Sequence, residues 1–109
     1  MKLGLFVTTQ WPEGTDLADQ TRLLCDQVSA ARDAGFESVW AGQHLLVGPM
    51  QMFQTTPLLG RLMAAGEGMT FGPAILLISM LNPVLVAEEA ATLDWMSGGR
   101  YVLALGMGY

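Results

Sequence analysis

The chain alternates short apolar runs with longer stretches of helical spacing. Residues 3–7 are continuously apolar, the pattern of a parallel strand covered on both faces. Polar Thr8, Thr9 and Gln10 follow, then Trp11-Pro12-Glu13-Gly14, which is loop chemistry. Leu17, Thr21, Leu24, Val28 and Ala31 then step by four, three, four and three positions, which predicts one face of a helix. Thr15 or Asp16 can cap its free N–H groups, and Asp19 suits the positive end of its dipole. Gly35 ends it, because glycine enters the left-handed conformation freely.

Residues 36–41 predict a second strand, followed at once by Gly42, Gln43 and His44. A loop with Gly48-Pro49 and apolar Met50, Met52 and Phe53 leads to Thr56-Pro57, read as a cap with proline in the first turn. Leu58, Leu59, Leu62 and Met63 form the apolar face of the second helix, up to Gly66 and Gly68. Residues 70–78 predict the third strand, ending in Ser79. Asn82-Pro83 repeats the cap-plus-proline device, and the helix behind it is expected to bury Val86, Ala87, Ala90 and Leu93. Ser97-Gly98-Gly99 stops that helix. Residues 101–105 predict a fourth strand before Gly106, Met107, Gly108 and Tyr109.

Four strands and three helices therefore alternate, with strands starting roughly 30–35 residues apart, the size of a repeated βαβ unit. Such alternation makes an α/β fold with a parallel sheet and helices outside it. A (β/α)8 barrel and an open doubly wound sheet both fit. A barrel needs about 250 residues, so this chain of 109 residues reads as the N-terminal portion, residues 1–109, of one larger domain. The competing reading is a small open sheet complete in itself. Open sheet edges and apolar faces lead us to expect an isolated chain that is poorly soluble or oligomeric.

Composition narrows the function classes. The chain is 51% apolar and 14% charged, against about 25% charged in an average domain. That excludes a disordered acidic tail. Lys2, Arg22, Arg32, Arg61 and Arg100 are scattered against ten acids, so no basic patch invites nucleic acid. Cys25 is the single cysteine; it can form no internal disulfide, and the chain reads as intracellular and cytoplasmic. Cys25 is expected to be buried and inert. The apolar run near the N-terminus is too short for a signal peptide. The longest apolar stretch, residues 74–87, is interrupted by Asn82-Pro83, so no membrane span is expected.

Sites in α/β folds gather at the carboxyl ends of strands. His44, the sole histidine, stands just past the second strand, where an imidazole could give or take a proton near neutrality; a loop histidine bonded to backbone or water is the plainer reading. One histidine and one distant cysteine do not make a metal shell, and no G-x-S-x-G nucleophile elbow is present. Gly106-x-Gly108 suits a backbone that passes close to something flat, or a plain turn. Met50, Met52, Met80 and Met107 could line an adaptable apolar pocket or serve as packing. Glu88 and Glu89 read as a solvated helix face.

Several segments carry a family likeness. They are Lys2-Leu-Gly-Leu-Phe6, Ala34-Gly-Phe-Glu-Ser-Val-Trp40 with His44 four residues on, Asn82-Pro-Val84, Ala91-Thr-Leu-Asp94 and Met96-Ser-Gly-Gly-Arg-Tyr101. In this order and spacing the chain resembles, over essentially its whole length, the start of bacterial luciferase-like flavin-dependent oxidoreductases. The resemblance implies the barrel rather than the open sheet. It implies a monooxygenase in which reduced FMN at the carboxyl end of the barrel reacts with O2 to oxidise a small organic substrate. It assigns His44 to proton transfer near the reactive edge of the flavin, and Gln43, Ala74, Ile75, Gly106 and Met107 to cofactor binding. Ala74-Ile75 matches the place of an unusual cis peptide behind the ring, and Gly106 and Met107 match a strand end that passes close to it.

Gln43 stands at a position often acidic in relatives. Leu45 stands where luciferase has a second histidine, so light emission from an aldehyde is not implied. The same resemblance leaves a second reading, hydride transfer with the deazaflavin coenzyme F-420 and no oxygen chemistry. A third is a non-catalytic fragment or partner subunit. For the complete enzyme it implies a homo-oligomer, supplied with electrons by a flavin reductase. The phosphate grip is expected from loops after strands seven and eight, so this portion alone should hold flavin weakly or not at all.

Overall fold

The computed structural model describes residues 1–108; Tyr109, which closes the glycine-rich end, lies outside the described residues. The elements in chain order are β1 (Gly4–Val7), β2 (Gln10–Trp11), α1 (Leu17–Asp33), β3 (Ser38–Ala41), β4 (Gln51–Met52), α2 (Thr55–Met63), β5 (Thr70–Pro73), β6 (Leu76–Leu77), a 3-10 turn (Ile78–Met80), α3 (Pro83–Ser97) and β7 (Leu105–Gly106).

Two of the three helices begin and end where local chemistry directs. Asp16 accepts from the N–H groups of Ala18 and Asp19 at 2.9 and 3.2 Å, and Gly35 follows α1 with φ +85°. Asn82 accepts from Val84 N–H at 2.9 Å, Pro83 opens α3, and Gly98 closes it in the left-handed conformation. The second helix departs from expectation. It starts at Thr55 rather than after Thr56, and Gln54 before it makes no side-chain cap. The hydroxyl of fully buried Thr55 donates instead to the Gly42 carbonyl at 2.9 Å, which ties the helix start to the end of β3. Pro57 still sits in the first turn, where a missing N–H costs no helix bond.

Strands β1, β3 and β5 form a parallel sheet in that order. Gly4, Ser38 and Thr70 stand in one row, and Val7, Ala41 and Pro73 in another. Alternate residues Val7, Val39, Ala41 and Phe71 join Leu24 and Val28 of α1, Leu59 and Leu62 of α2 and Leu93 of α3 in a single core. At about 25 cal/mol per Å² of apolar surface, this burial supplies the main drive to fold. The opposite sheet face is open: Phe6 is 61% exposed. The expectation of strands covered on both faces thus holds for one face only, because all three helices pack on the same side. On the open face the Trp40 indole lies across the sheet, its N–H donating to Ser38 Oγ at 2.8 Å. Gly4 and Gly72 make room for it; a β-carbon there would lie 2.9 and 2.7 Å from the ring.

The third strand is not continuous over residues 70–78. β5 pairs with β3 as far as Pro73, the Ala74–Ile75 peptide is cis, and β6 then pairs with β7. At the break the chain leaves β3 but stays beside residues 100–106, to which Phe71 is already bonded. The fourth strand is correspondingly fragmentary: Tyr101 makes a lone bridge to Phe71, and the regular ladder covers Leu105–Gly106 instead of residues 101–105. A small antiparallel pair, β2 with β4, was not expected from either loop. It is closed by an edge-on contact of Trp11 with Phe53, centroids 5.2 Å apart.

Burial on α3 is narrower than its pattern suggests. Val86 and Leu93 are buried, but Ala87 is exposed and Ala90 half-buried. Cys25 is half-buried rather than buried. Glu88 and Glu89 are exposed, as a solvated face requires. No described helix is long and apolar enough to cross a membrane.

Candidate active site at the strand ends

The chain leaves the sheet at four neighbouring places, and these exits enclose a cavity of about 230 Å³. Its wall is built from Phe6 of β1, Gly42, Gln43 and His44 after β3, Ala74, Ile75 and Leu77 around the break, and Gly108 after β7. Five of the residues singled out from sequence, Gln43, His44, Ala74, Ile75 and Gly108, therefore meet in one place.

Hydrogen bonds hold this wall where the strand ladder gives out. Ala74 N–H donates to the Ala41 carbonyl at 2.8 Å, and Leu76 N–H to the Ala104 carbonyl at 2.9 Å. The Gln43 side chain is 7% exposed, and its carbonyl accepts from Leu77 N–H at 2.8 Å. Ser79 Oγ donates to the Met107 carbonyl at 2.6 Å. A buried amide so paired avoids the cost of an unsatisfied polar group.

Two glycines set the width of the cavity. A β-carbon on Gly42 would lie 3.2 Å from Phe6 Cζ. One on Gly106 would overlap the Ile75 side chain. Gly106 thus supports the wall from behind, and Met107 is 75% exposed and off the wall. Met50, Met52 and Met80 are also absent from this lining, so the soft thioether pocket does not form here. Phe6 and Leu77 were not singled out. The signal for Phe6 was its alternation with Val7, which turns it to the face opposite the core.

Among the described residues the lining contains no lysine or arginine. An imidazole in a cavity of apolar side chains, backbone and one amide can exchange a proton beside a flat ring, but these residues offer no charged grip for a phosphate. Among the described residues no three His, Cys, Asp or Glu side chains gather as a metal site needs. A larger cavity of about 580 Å³ lies at the other end of the sheet, between the last turns of α2 and α3, lined by Met63, Met69, Trp95 and Arg100 among others. It brings none of the residues singled out into contact. The displaced ionisation of Tyr101, bridged to Phe71, also lies away from His44. Its phenol is pushed up to about 12, by burial first and by the Glu89 carboxylate second.

The chain matches the luciferase-like monooxygenase family over residues 1–109. It is 29% identical over 93 residues to the 5,10-methylenetetrahydromethanopterin reductase of Methanopyrus kandleri, covering 83% of this chain and 24% of that protein. It is 28% identical over 108 residues to the alkanal monooxygenase alpha chain of Photorhabdus luminescens, covering 93% of this chain and 28% of that one. The chain spans about a quarter of the length of the curated relatives it matches. Among solved structures it resembles the oxygenating constituent of 3,6-diketocamphane monooxygenase from Pseudomonas putida in complex with FMN. There the TM-score is 0.84 at 19% identity, over 100% of this chain and 30% of the other. That likeness shows the fold: the α/β arrangement of luciferase-like barrels, of which this chain spans about 30%.

Proposed function

The chain belongs to the luciferase-like monooxygenase family, and from there we propose that residues 1–109 are the N-terminal portion of one (β/α)8-barrel domain of a flavin-dependent oxidoreductase. In this reading the complete enzyme is a monooxygenase that uses reduced FMN and O2 on a small organic substrate. The observation that carries it is the shared cavity of His44 with the Ala74–Ile75 wall at the strand ends.

The residues present fit a flat tricyclic ring. Gly42 and Gly106 stand where a side chain would narrow the cavity, and Phe6, Ile75 and Leu77 supply apolar surface that excludes water. Ala74 and Ile75 would lie against the ring, with Gly106 behind Ile75, and loops outside this chain would hold its phosphate. When bound, the reduced flavin supplies the electrons for oxygen chemistry. His44 takes or gives the accompanying proton through its imidazole. Gln43 and Ser79 keep the backbone of the wall in place through their bonds to Leu77 and Met107.

The 29% identity to a methylenetetrahydromethanopterin reductase favours a second reading within the family, hydride transfer with the deazaflavin coenzyme F-420. Oxygen uptake separates the two. The full-length protein, mixed with reduced FMN and air, should consume O2 faster than free reduced FMN or yield a stabilised flavin signal. Hydride transfer to F-420 without any effect on reduced FMN would establish the second reading. Inertness to both would leave a non-catalytic partner subunit. A homo-oligomer served by a flavin reductase completes the proposal for the whole enzyme.

A further inference from the structure

We propose that Gln43 is a positioning residue, whose side chain links the exit of β3 to the strand beyond the Ala74–Ile75 break, where the β3–β5 ladder has ended, and so helps to place His44 in the cavity it shares with Leu77. The part concerning turnover rests on the flavin reading above; the hydrogen bond itself does not.

The ladder between β3 and β5 runs through Ala41 and Pro73, and Ala74 N–H adds a last bond to the Ala41 carbonyl at 2.8 Å. Beyond that point β6 pairs with β7, and the β3–β5 ladder has ended. Gln43 spans this gap. Its side-chain carbonyl accepts from Leu77 N–H at 2.8 Å, and Leu77 is itself in register with Gly106. One amide thus joins the exit of β3 to the β6–β7 pair.

The same residue is a partition. It lines the cavity that contains His44, and also a neighbouring cavity of about 250 Å³ lined by Thr55, Asn82 and Glu89. Its burial leaves little freedom to the side chain, and the adjacent Gly42 carbonyl is fixed by Thr55. Two bonds on consecutive residues therefore hold the backbone that leads to His44. The role needs an acceptor of this length rather than a charge, and glutamine provides it without placing a carboxylate next to the imidazole.

The test uses the full-length protein and three readouts: amide hydrogen exchange at Leu77, steady-state kinetics, and the melting temperature. In the native protein Leu77 N–H should exchange slowly with or without flavin. Gln43→Leu keeps the volume and removes the acceptor; it should speed that exchange by tenfold or more. It should also lower kcat by about ten- to a hundredfold, the scale of a small misplacement at a reacting centre, while KM changes less than threefold. Gln43→Glu keeps an acceptor of the same reach and should restore slow exchange and at least part of kcat. Rapid exchange of Leu77 in the native protein would overturn the proposal even if Gln43→Leu failed to fold. So would a Gln43→Leu protein with altered exchange or melting but native kcat, or a Gln43→Glu protein in which exchange stays fast. If the native protein proved inert to flavins while the exchange pattern held, the functional reading would fail and the bond would stand.

Discussion

Ile75 stands directly in front of Gly106, so close that a β-carbon at position 106 would overlap the isoleucine side chain. The wall of the candidate site is therefore two residues thick, and the outer one lacks a side chain so that the inner one can take its place. Gly106→Ala should push Ile75 toward the cavity. Overpacking of this kind costs the fold about 1–3 kcal/mol, and an Ile75 displaced into the cavity should also lower the flavin affinity of the full-length protein. Fluorescence titration of Gly106→Ala, and of the same change combined with Ile75→Ala, checks it: the double variant should recover affinity.

His44→Ala should lower turnover of the full-length enzyme by about 10²–10⁴-fold, the usual contribution of a positioned acid or base. Flavin affinity should stay close to native, because the apolar wall is untouched. Parallel steady-state kinetics and flavin titration measure the two effects separately. Native turnover in the variant would reduce His44 to a loop residue.

Thr55 is fully buried and donates to the Gly42 carbonyl at 2.9 Å. Thr55→Val keeps the shape and leaves that carbonyl without this donor, a loss of about 1–3 kcal/mol for a buried polar group. Denaturant unfolding should show the loss as a lower midpoint with an unchanged slope. Thr56→Val, one residue on, should leave the midpoint within about 0.5 kcal/mol of native.

The Tyr101 phenol titrates near 12 in the folded chain because burial, and then Glu89, disfavour its ionised form. In the unfolded chain it titrates near 10. The folded state thus holds its proton more tightly, and the resulting stabilisation is complete below pH 10 and disappears as pH rises toward 12. Unfolding midpoints measured across this window should fall with pH, and Tyr101→Phe should flatten the fall.

Much of this architecture could be read from residue pattern, and the exceptions have physical causes. Helix α1 is local: Asp16, Gly35 and the buried Leu24 and Val28 are all specified within one segment. Strand β3 is likewise apparent from residues 36–41. The break at Ala74–Ile75 falls inside the continuous apolar run 74–78, so hydrophobic alternation does not mark it; the family likeness, not periodicity, points to it. Strands β2 and β4 have two residues each, too few for alternation to show. Helix α2 starts before the cap that Thr56-Pro57 predicts, because Thr55 uses its hydroxyl at Gly42, a long-range choice that local sequence does not contain. At the site, His44, Gln43, Ala74 and Ile75 meet as anticipated, whereas Phe6 and the Gln43–Leu77 bond depend on how separate strands come together.

A crystal structure of the full-length protein with FMN bears most directly on the proposed site. The isoalloxazine should lie against Ala74 and Ile75, with the His44 imidazole within hydrogen-bond or one-water reach of the ring. A flavin found elsewhere, such as in the cavity between the last turns of α2 and α3, or His44 turned away from the bound ring, would contradict it.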